Sequence, residues 1–169
     1  MAETLDPALP TDVQDLADEV LDLAHERELA LATAESCTGG LLAALLTDVQ
    51  GRGHVFERGF VVYSEDAKCD LLGIAREKVE SCGAVSEEVA LAMALGALRR
   101  SRADVALSIT GFAGPAGDGE EEGLVHFACA RREGATCHRQ AHFGPIGRQG
   151  VRIEALKVAL AMIKDALCT

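Results

Sequence analysis

The chain has 169 residues, of which 49% are hydrophobic, and it carries a formal net charge of −11 at pH 7. This length suits one compact domain that buries roughly two-thirds of the surface exposed by its unfolded chain. A protein this acidic is repelled by nucleic-acid phosphates and by anionic lipid, so the composition argues against both partners and leaves room only for a local basic pocket.

The first ten residues, MAETLDPALP, contain neither the basic nor the apolar region of a signal peptide. No apolar run approaches the roughly 18 uninterrupted residues that a membrane span needs. Six cysteines are scattered without a C-x-x-C pair, which favours free thiols over a zinc or redox motif. We therefore expect a cytoplasmic protein with a flexible lead over residues 1–10 and a single domain over residues 11–169.

The first predicted element is a helix. Thr11 and Gln14 match a capping box, and the helix is expected to end near Arg27. Its apolar residues recur with helical spacing on one face: Leu16, Val20, Leu23 and Ala24.

A strand-to-helix turn follows. The short apolar run 28–36 is typical of a buried strand, and residues 38–49 are typical of a helix. The stretch ATAESCTGG, residues 32–40, therefore contains the turn between them. It places a serine, a cysteine and a threonine in a row ahead of two glycines.

The next segments alternate in the same way. Residues 56–64 are rich in β-forming side chains, and Ser64 followed by two acids is a typical N-cap for a helix through Leu72. Ser86 repeats this signal for a longer helix that ends near Arg100.

The last third of the chain begins with a strand, 103–110, that leads into GFAGPAGDG, a loop with four glycines and a proline in nine residues. Two alternating segments, 123–130 and 136–143, form a hairpin around a glycine-containing turn. Residues 148–167 form a long amphipathic helix. This order of elements predicts a three-layer α/β/α domain with a mixed sheet.

Ligands of open α/β sheets bind beyond the carboxyl ends of the strands. Three strand ends here carry polar side chains: Ser36, Cys37 and Thr38 at the first, Tyr63, Ser64 and Lys68 at the second, and Thr110 at the third. If these strands are parallel neighbours, the three sets face one crevice. That crevice is the candidate site.

Ser36 is a candidate nucleophile because the amides of Thr38 to Gly40 would be unpaired at a helix start and could stabilise an oxyanion. No histidine occupies these strand ends. Lys68 could act as the base, with Tyr63 as orienter or proton relay, provided that burial lowers the lysine pKa. Each residue also has a purely structural interpretation. Ser36 could be only an N-cap, Tyr63 an amphipathic residue at a strand end, and Lys68 a solvated surface charge. The residues alone leave the function open.

Six segments together resemble one known family: ATAESCTGGLLAALLTDV, FERGFVVYSEDAKCDLLG, GAVSEE, SITGFAGPAG, GLVHFA and FGPIGRQGVR. In this order they resemble the CinA C-terminal-domain family, the nicotinamide-nucleotide amidohydrolases, over nearly the whole chain from residue 29. The resemblance is to the stand-alone form, because the chain has no room for the N-terminal domain of two-domain members. It implies a three-layer α/β/α sandwich with a mixed, mostly parallel five-stranded sheet that has one antiparallel strand.

The resemblance implies hydrolysis of the carboxamide of nicotinamide mononucleotide, a step of pyridine-nucleotide salvage, without a metal or an organic cofactor. The catalytic residues that it implies are Ser36, Tyr63, Lys68 and Thr110, which are also those found at the strand ends. On this interpretation Ser36 attacks the amide, while Cys37 and Thr38 serve packing and capping beside it.

The substrate phosphate needs cationic or N–H partners, and GPIGRQGVR supplies Arg148 and Arg152 at the start of the last helix. Arg148 has the better family match; the alternative is that both arginines pair with surface acids. The glycines of the two loops could let backbone approach the substrate or could simply form loops. The substrate-binding residues we expect are Thr38, Gly39, Gly40, Gly111, Gly114 and Arg148.

One loop departs from the family pattern. In many members the glycine loop is longer and ends in Lys-Pro-Val-Gly, whereas residues 117–123 here read GDGEEEG. Three glutamates facing a phosphate would repel it. Either they point to solvent or the preferred nucleotide differs.

Two other interpretations stay open at this point. His126, His138 and His142 could share one face of the hairpin, and three imidazoles suit zinc. The domain could also bind a nucleotide or a protein partner without catalysis, as the family's link with competence and DNA damage suggests. Association into a homo-oligomer, with the C-terminal helix at the interface, is a further open expectation.

Overall fold

The computed structural model describes residues 9–169. Residues 1–8 of the predicted lead lie outside the described residues, and Leu9 is already buried in the core. The described residues form six helices and five strands: α1 Thr11–Glu26, β1 Leu31–Glu35, α2 Leu41–Thr47, β2 Phe56–Val61, α3 Glu65–Leu72, α4 Arg76–Cys82, α5 Glu87–Arg99, β3 Val105–Gly111, β4 Leu124–Arg131, β5 Cys137–His142 and α6 Gly147–Cys168. The short helix α4 is the one element that the sequence patterns did not predict.

Helix α1 does not begin with a capping box. Pro10 occupies the N-cap position, and no side chain caps the helix. Thr11 is already inside the first turn, so the predicted reciprocal cap with Gln14 is wrong. The buried face is also rotated slightly from the predicted one, since it consists of Val13, Ala17, Val20, Leu21 and Ala24.

The sheet has the strand order β2-β1-β3-β4-β5. Strand β1 pairs in parallel with β2 and β3, while β4 is antiparallel to both β3 and β5. Only β4 therefore runs against the other four strands. This confirms the expected mixed five-stranded sheet with one antiparallel member.

Two hydrophobic clusters cover the two faces of the sheet, which gives the predicted three layers. The cluster beneath α1, α2 and α6 contains large side chains such as Leu107, Ile109 and Phe127. The sheet face beneath α5 contributes mainly alanines, so that helix can lie close to the strands. Helices α3 and α5 also pack closely against each other. A Cβ on Gly96 of α5 would lie 2.4 Å from the carbonyl oxygen of Leu72 in α3.

The predicted N-caps of α3 and α5, Ser64 and Ser86, are both confirmed. The Ser64 hydroxyl accepts a hydrogen bond from the Ala67 amide, and the Ser86 hydroxyl accepts one from the Val89 amide. These caps fix where α3 and α5 begin. None of the helices in residues 9–169 is long and apolar enough to cross a membrane.

Candidate active site

The loops that follow β1, β2 and β3 meet at one edge of the sheet. These three strands are parallel neighbours, so their carboxyl ends share that edge. Ser36 continues the pairing of β1 with β3, because its amide donates a 2.9 Å hydrogen bond to the Ile109 carbonyl. The expectation that the strands lie side by side is confirmed, and the sheet fixes the backbone of Ser36.

A hydrogen bond joins Ser36 to Lys68. The Lys68 Nζ donates to the Ser36 Oγ and to the Val62 carbonyl, both at 2.9 Å. Lys68 is 1% exposed and Ser36 is 7% exposed, so water has little access to either. The Ser64 cap sets the first turn of α3 and thereby places Lys68 beneath the end of β2.

Burial lowers the pKa of Lys68 below its ordinary value of 10.5. Its two hydrogen-bond acceptors are a hydroxyl and a carbonyl, neither of which carries the negative charge that would hold the amine protonated. The direction of this shift is the one that a Ser–Lys pair needs. A neutral amine beside a hydroxyl can take its proton.

Glu35 is a residue of this site that the sequence patterns missed. It is the last residue of β1 and is completely buried. Its two carboxylate oxygens accept hydrogen bonds from the amides of Leu42 and Ala43, at 2.9 and 3.0 Å. The carboxylate therefore ties the start of α2 back to the strand and braces the turn between them. An acid at the end of a buried strand, just ahead of a helix, was the available signal.

Cys37 and Thr38 differ in their surroundings. Cys37 is packed in the core, as expected, and burial raises the pKa of its thiol to about 12, so it stays protonated and unreactive. Thr38 was expected to cap, but its hydroxyl does not cap α2, and only its carbonyl accepts a bond, from the Leu41 amide. Within residues 9–169 the buried Thr38 hydroxyl has no hydrogen-bond partner.

The turn from Cys37 to Gly40 uses left-handed backbone at both glycines, with φ of 62° at Gly39 and 96° at Gly40. The Gly39 amide donates to the Ser36 carbonyl at 3.1 Å, so the expectation that all three amides from Thr38 to Gly40 are unpaired is wrong for Gly39. The amides of Thr38 and Gly40 find no acceptor in the described part of the chain. Two donors of the turn remain available to an oxyanion.

Tyr63 and Thr110 lie at the strand ends but do not contact the Ser–Lys pair through hydrogen bonds. Tyr63 is 66% exposed, and no hydrogen bond of its hydroxyl is found among residues 9–169. Thr110 is buried, and its hydroxyl donates to the Ala84 carbonyl at 2.8 Å. Their catalytic roles stay predictions.

The glycine loop after β3 and the start of α6 complete the site. A Cβ on Gly111 would lie 2.7 Å from the Leu124 carbonyl oxygen, and one on Gly114 would lie 2.4 Å from the Arg148 Nη2. Arg152, one turn further along α6, donates a 2.8 Å hydrogen bond from Nε to the Cys37 carbonyl. No carboxylate within residues 9–169 pairs with either arginine, so pairing with surface acids does not occur there.

A family model of the CinA C-terminal domain matches residues 13–167. The chain belongs to the CinA C-terminal domain family. It is 43% identical over 152 residues to the nicotinamide-nucleotide amidohydrolase PncC of Escherichia coli strain K12, a match that covers 89% of this chain and 92% of that protein. It is 45% identical to a putative competence-damage inducible protein of Symbiobacterium thermophilum, covering 93% of this chain and 39% of that protein.

A solved CinA-family structure has the same fold. The competence/damage inducible protein CihA of Agrobacterium tumefaciens superimposes with a TM-score of 0.91 at 42% identity, and the match covers 100% of both chains. The sandwich predicted from the order of the elements is therefore that of a known CinA-family protein.

The acidic loop of this CinA domain is held by its own surroundings. The Glu120 carboxylate accepts a hydrogen bond from the Gly117 amide at 2.8 Å. Glu121 pairs with His142 at 2.7 Å between Oε1 and Nδ1. Both glutamates are exposed and Glu122 is partly buried, so the alternative that they point to solvent agrees with two of the three.

The three hairpin histidines of the CinA domain do not converge on a point. His126 and His138 stack with their nearest ring nitrogens 3.0 Å apart, whereas His142 contacts Glu121 and Gln140. Among the described residues no group of three or more side chains is arranged to hold a metal ion. Cys129 and Cys137 face each other across the hairpin as free thiols.

Proposed function

We propose that this chain hydrolyses the carboxamide of nicotinamide mononucleotide to nicotinate mononucleotide and ammonia, a step of pyridine-nucleotide salvage in the cytoplasm. The similarity to the E. coli amidohydrolase over most of both chains supports this reaction. The observation that carries the mechanism is the buried hydrogen bond between the Lys68 amine and the Ser36 hydroxyl.

In the first half-reaction, Ser36 Oγ attacks the amide carbon while the neutral Lys68 amine takes the hydroxyl proton. The carbonyl oxygen becomes an oxyanion, which the free amides of Thr38 and Gly40 are available to stabilise. Lys68 then returns the proton to the amide nitrogen. The carbon–nitrogen bond breaks, and ammonia leaves an ester on Ser36.

In the second half-reaction, Lys68 takes a proton from water as the water oxygen attacks the ester carbon. The tetrahedral intermediate collapses with cleavage of the bond to Ser36 Oγ, and Lys68 returns the proton to that oxygen. The products are the carboxylate nucleotide and the free enzyme. These steps use the chain's own residues for every proton transfer.

Tyr63 and Thr110 have different parts in this proposal. Tyr63 follows Val62, whose carbonyl holds Lys68, and its exposed side chain supports a role in contacting the substrate. Replacing Tyr63 by Phe separates a hydroxyl relay, which the change removes, from an aromatic contact, which it keeps. Thr110 holds the segment before α5 through Ala84 and supports the start of the glycine loop.

The substrate phosphate is assigned to Arg148. The guanidinium is exposed, lies against Gly114 and has no carboxylate partner among residues 9–169. The glycine lets the arginine approach the loop closely. No side chain among residues 9–169 caps the start of α6, and the amides at a helix start favour an anion.

Binding without catalysis is the competing function, and the geometry does not favour it. A domain that only binds a nucleotide has no need of a buried lysine whose pKa is lowered beside a serine hydroxyl. Activity is the direct test between the two.

The deciding experiment is ammonia release from nicotinamide mononucleotide by wild-type protein and by Ser36→Ala. The proposal expects release by the wild type only, with the same folded circular-dichroism spectrum for both proteins. Equal release by Ser36→Ala would exclude Ser36 as the nucleophile. No release by the folded wild type would favour the binding module.

A further inference from the structure

Arg152 connects helix α6 to the turn that carries Ser36. Its Nε donates a 2.8 Å hydrogen bond to the carbonyl of Cys37, the residue directly after Ser36. The same guanidinium lies against Gly39, because a Cβ placed on that glycine would be 3.5 Å from Arg152 Nη2. Arg152 therefore bonds to the backbone of this turn at Cys37 and lies next to the turn at Gly39.

The remaining donors of Arg152 have no partner in the part of the chain that the structure describes. Neither Nη1 nor Nη2 makes a hydrogen bond or an ion pair within residues 9–169, although the chain has 27 acidic residues. The side chain is only partly exposed. A guanidinium can serve two acceptors at once because its five N–H groups point in fixed, separate directions. Here one acceptor is the Cys37 carbonyl. A second acceptor could bind to Nη1 and Nη2.

Arg148 lies one helical turn before Arg152, so the two arginines share a face of α6. Arg148 contacts Gly114 in the loop after β3, while Arg152 contacts the turn after β1. The two guanidinium groups, neither of which pairs with a carboxylate within residues 9–169, thus extend from one face of α6 to the two loops of the site. A phosphate group, with three accepting oxygens and up to two negative charges, fits such a pair.

We infer that Arg152 is a positioning residue that couples binding of the substrate phosphate to the placement of Ser36. This inference rests on the proposed function and goes beyond it, because it states how phosphorylated and unphosphorylated amides are distinguished. The discrimination is expressed in kcat and not in KM alone.

The physical reason lies in the freedom of the arginine side chain. Without an anion, ordering of this long side chain opposes its bond to the Cys37 carbonyl. A phosphate held by Nη1 and Nη2 restricts the guanidinium while Nε stays on the carbonyl. The turn is then fixed for attack, so binding energy from a remote group of the substrate acts at the reacting centre.

The test compares kcat and KM for nicotinamide mononucleotide and nicotinamide riboside, which lacks the phosphate. The proteins are the wild type, Arg152→Met, Arg152→Lys and the control Arg139→Met, whose arginine pairs with Asp165 on the surface. In the wild type, kcat is expected to be higher for the mononucleotide. Arg152→Met should lower that kcat about 10- to 100-fold, towards the riboside value, and should change the riboside kcat little.

Arg152→Lys keeps the charge but offers one nitrogen, which cannot serve the carbonyl and the phosphate from separate positions. It should retain much of the affinity for the mononucleotide and lose most of the kcat gain. Arg139→Met should match the wild type with both substrates. Circular dichroism and thermal unfolding of each variant report whether the fold is kept.

Three results would overturn the coupling. An equal loss of kcat with both substrates would make Arg152 a brace that is independent of phosphate. A change in KM alone would make it a simple anion ligand, and no change would remove it from the site.

Failure of the proposed function gives a different result, namely a folded wild type that releases ammonia from neither substrate. Hydrogen exchange at the amides of residues 38–40, with and without inorganic phosphate, then tests the coupling. Phosphate should slow exchange in the wild type and not in Arg152→Met. Exchange that phosphate leaves unchanged in both proteins would refute the inference.

Discussion

The amine nitrogen of Lys68 lies 2.9 Å from the hydroxyl oxygen of Ser36, inside a site where both side chains are buried. Lys68 comes from the first turn of α3, and Ser36 directly follows β1. The parallel pairing of β1 with β2 brings these two segments together, and the cap at Ser64 sets the turn of the helix that carries the lysine. The sheet therefore assembles the pair.

The pH dependence of hydrolysis should report the lowered pKa of Lys68. Only the neutral amine can take the Ser36 proton, so kcat/KM should fall as pH drops through the lysine pKa, which lies below 10.5. Lys68→Arg should be inactive at every pH because a guanidinium does not deprotonate. Pre-steady-state and steady-state rates between pH 6 and 10 measure this, and exposed Lys78→Met is the matched control.

Lys68 should also make the free energy of unfolding depend on pH. Because the pKa of Lys68 is lower in the folded chain than in the unfolded one, the unfolded state binds more protons between the two values, and the free energy of unfolding rises with pH there. Denaturant titrations at several pH values should show that the free energy of unfolding rises less steeply with pH in Lys68→Met than in the wild type. A slope identical to that of the wild type would contradict the lowered pKa.

Glu35→Gln tests the brace beneath the nucleophile. The glutamine amide nitrogen would face an N–H donor of α2, so one of the two buried hydrogen bonds is lost and a donor opposes a donor. We expect a loss of about 1–3 kcal/mol in the free energy of unfolding. Because the turn shifts, kcat should also fall by a factor of about ten or more. The exposed Glu133→Gln should change neither quantity, and an unaltered kcat in folded Glu35→Gln would exclude the brace.

Arg148→Met should separate phosphate binding from chemistry. Loss of a charge-assisted contact to the phosphate is expected to raise KM for nicotinamide mononucleotide about 10- to 100-fold, at nearly constant kcat. The KM for nicotinamide riboside should not change. Steady-state kinetics with both amides measure this, and an equal rise in KM for the riboside would place Arg148 away from the phosphate.

Gly111→Ala should destabilise the fold. The added methyl group would lie within 2.7 Å of the Leu124 carbonyl oxygen and 2.9 Å of the Val125 Cα, which are backbone atoms that cannot move aside without breaking the β3–β4 pairing. We expect a loss of about 1–3 kcal/mol. Gly53→Ala is the matched control because nothing lies within 4 Å of its added methyl group. Equal thermal midpoints for the two variants would refute the prediction.

The sequence by itself determined the elements whose signals are local. The caps at Ser64 and Ser86, the strand after Ala103 and the hairpin around Gly134 were all readable because a cap or a turn depends on a few neighbouring residues. The same logic failed at α1, where Thr11 and Gln14 fit a capping box but Pro10 takes the cap. Pro10 has extended backbone, with φ of −61° and ψ of 145°, and the helix begins at Thr11, one residue earlier than the capping box indicated.

Only the tertiary structure decided which of the candidate groups meet. Ser36 and Lys68 bond across two parallel strands, Arg152 reaches the Cys37 carbonyl from 115 positions away, and Glu35 turns its buried carboxylate onto α2. Tyr63 instead remains exposed, and the Thr110 hydroxyl is bonded to Ala84. Local patterns carry no information about such distances, because the strand order of the sheet and the burial of each side chain are set by the packing of the whole domain.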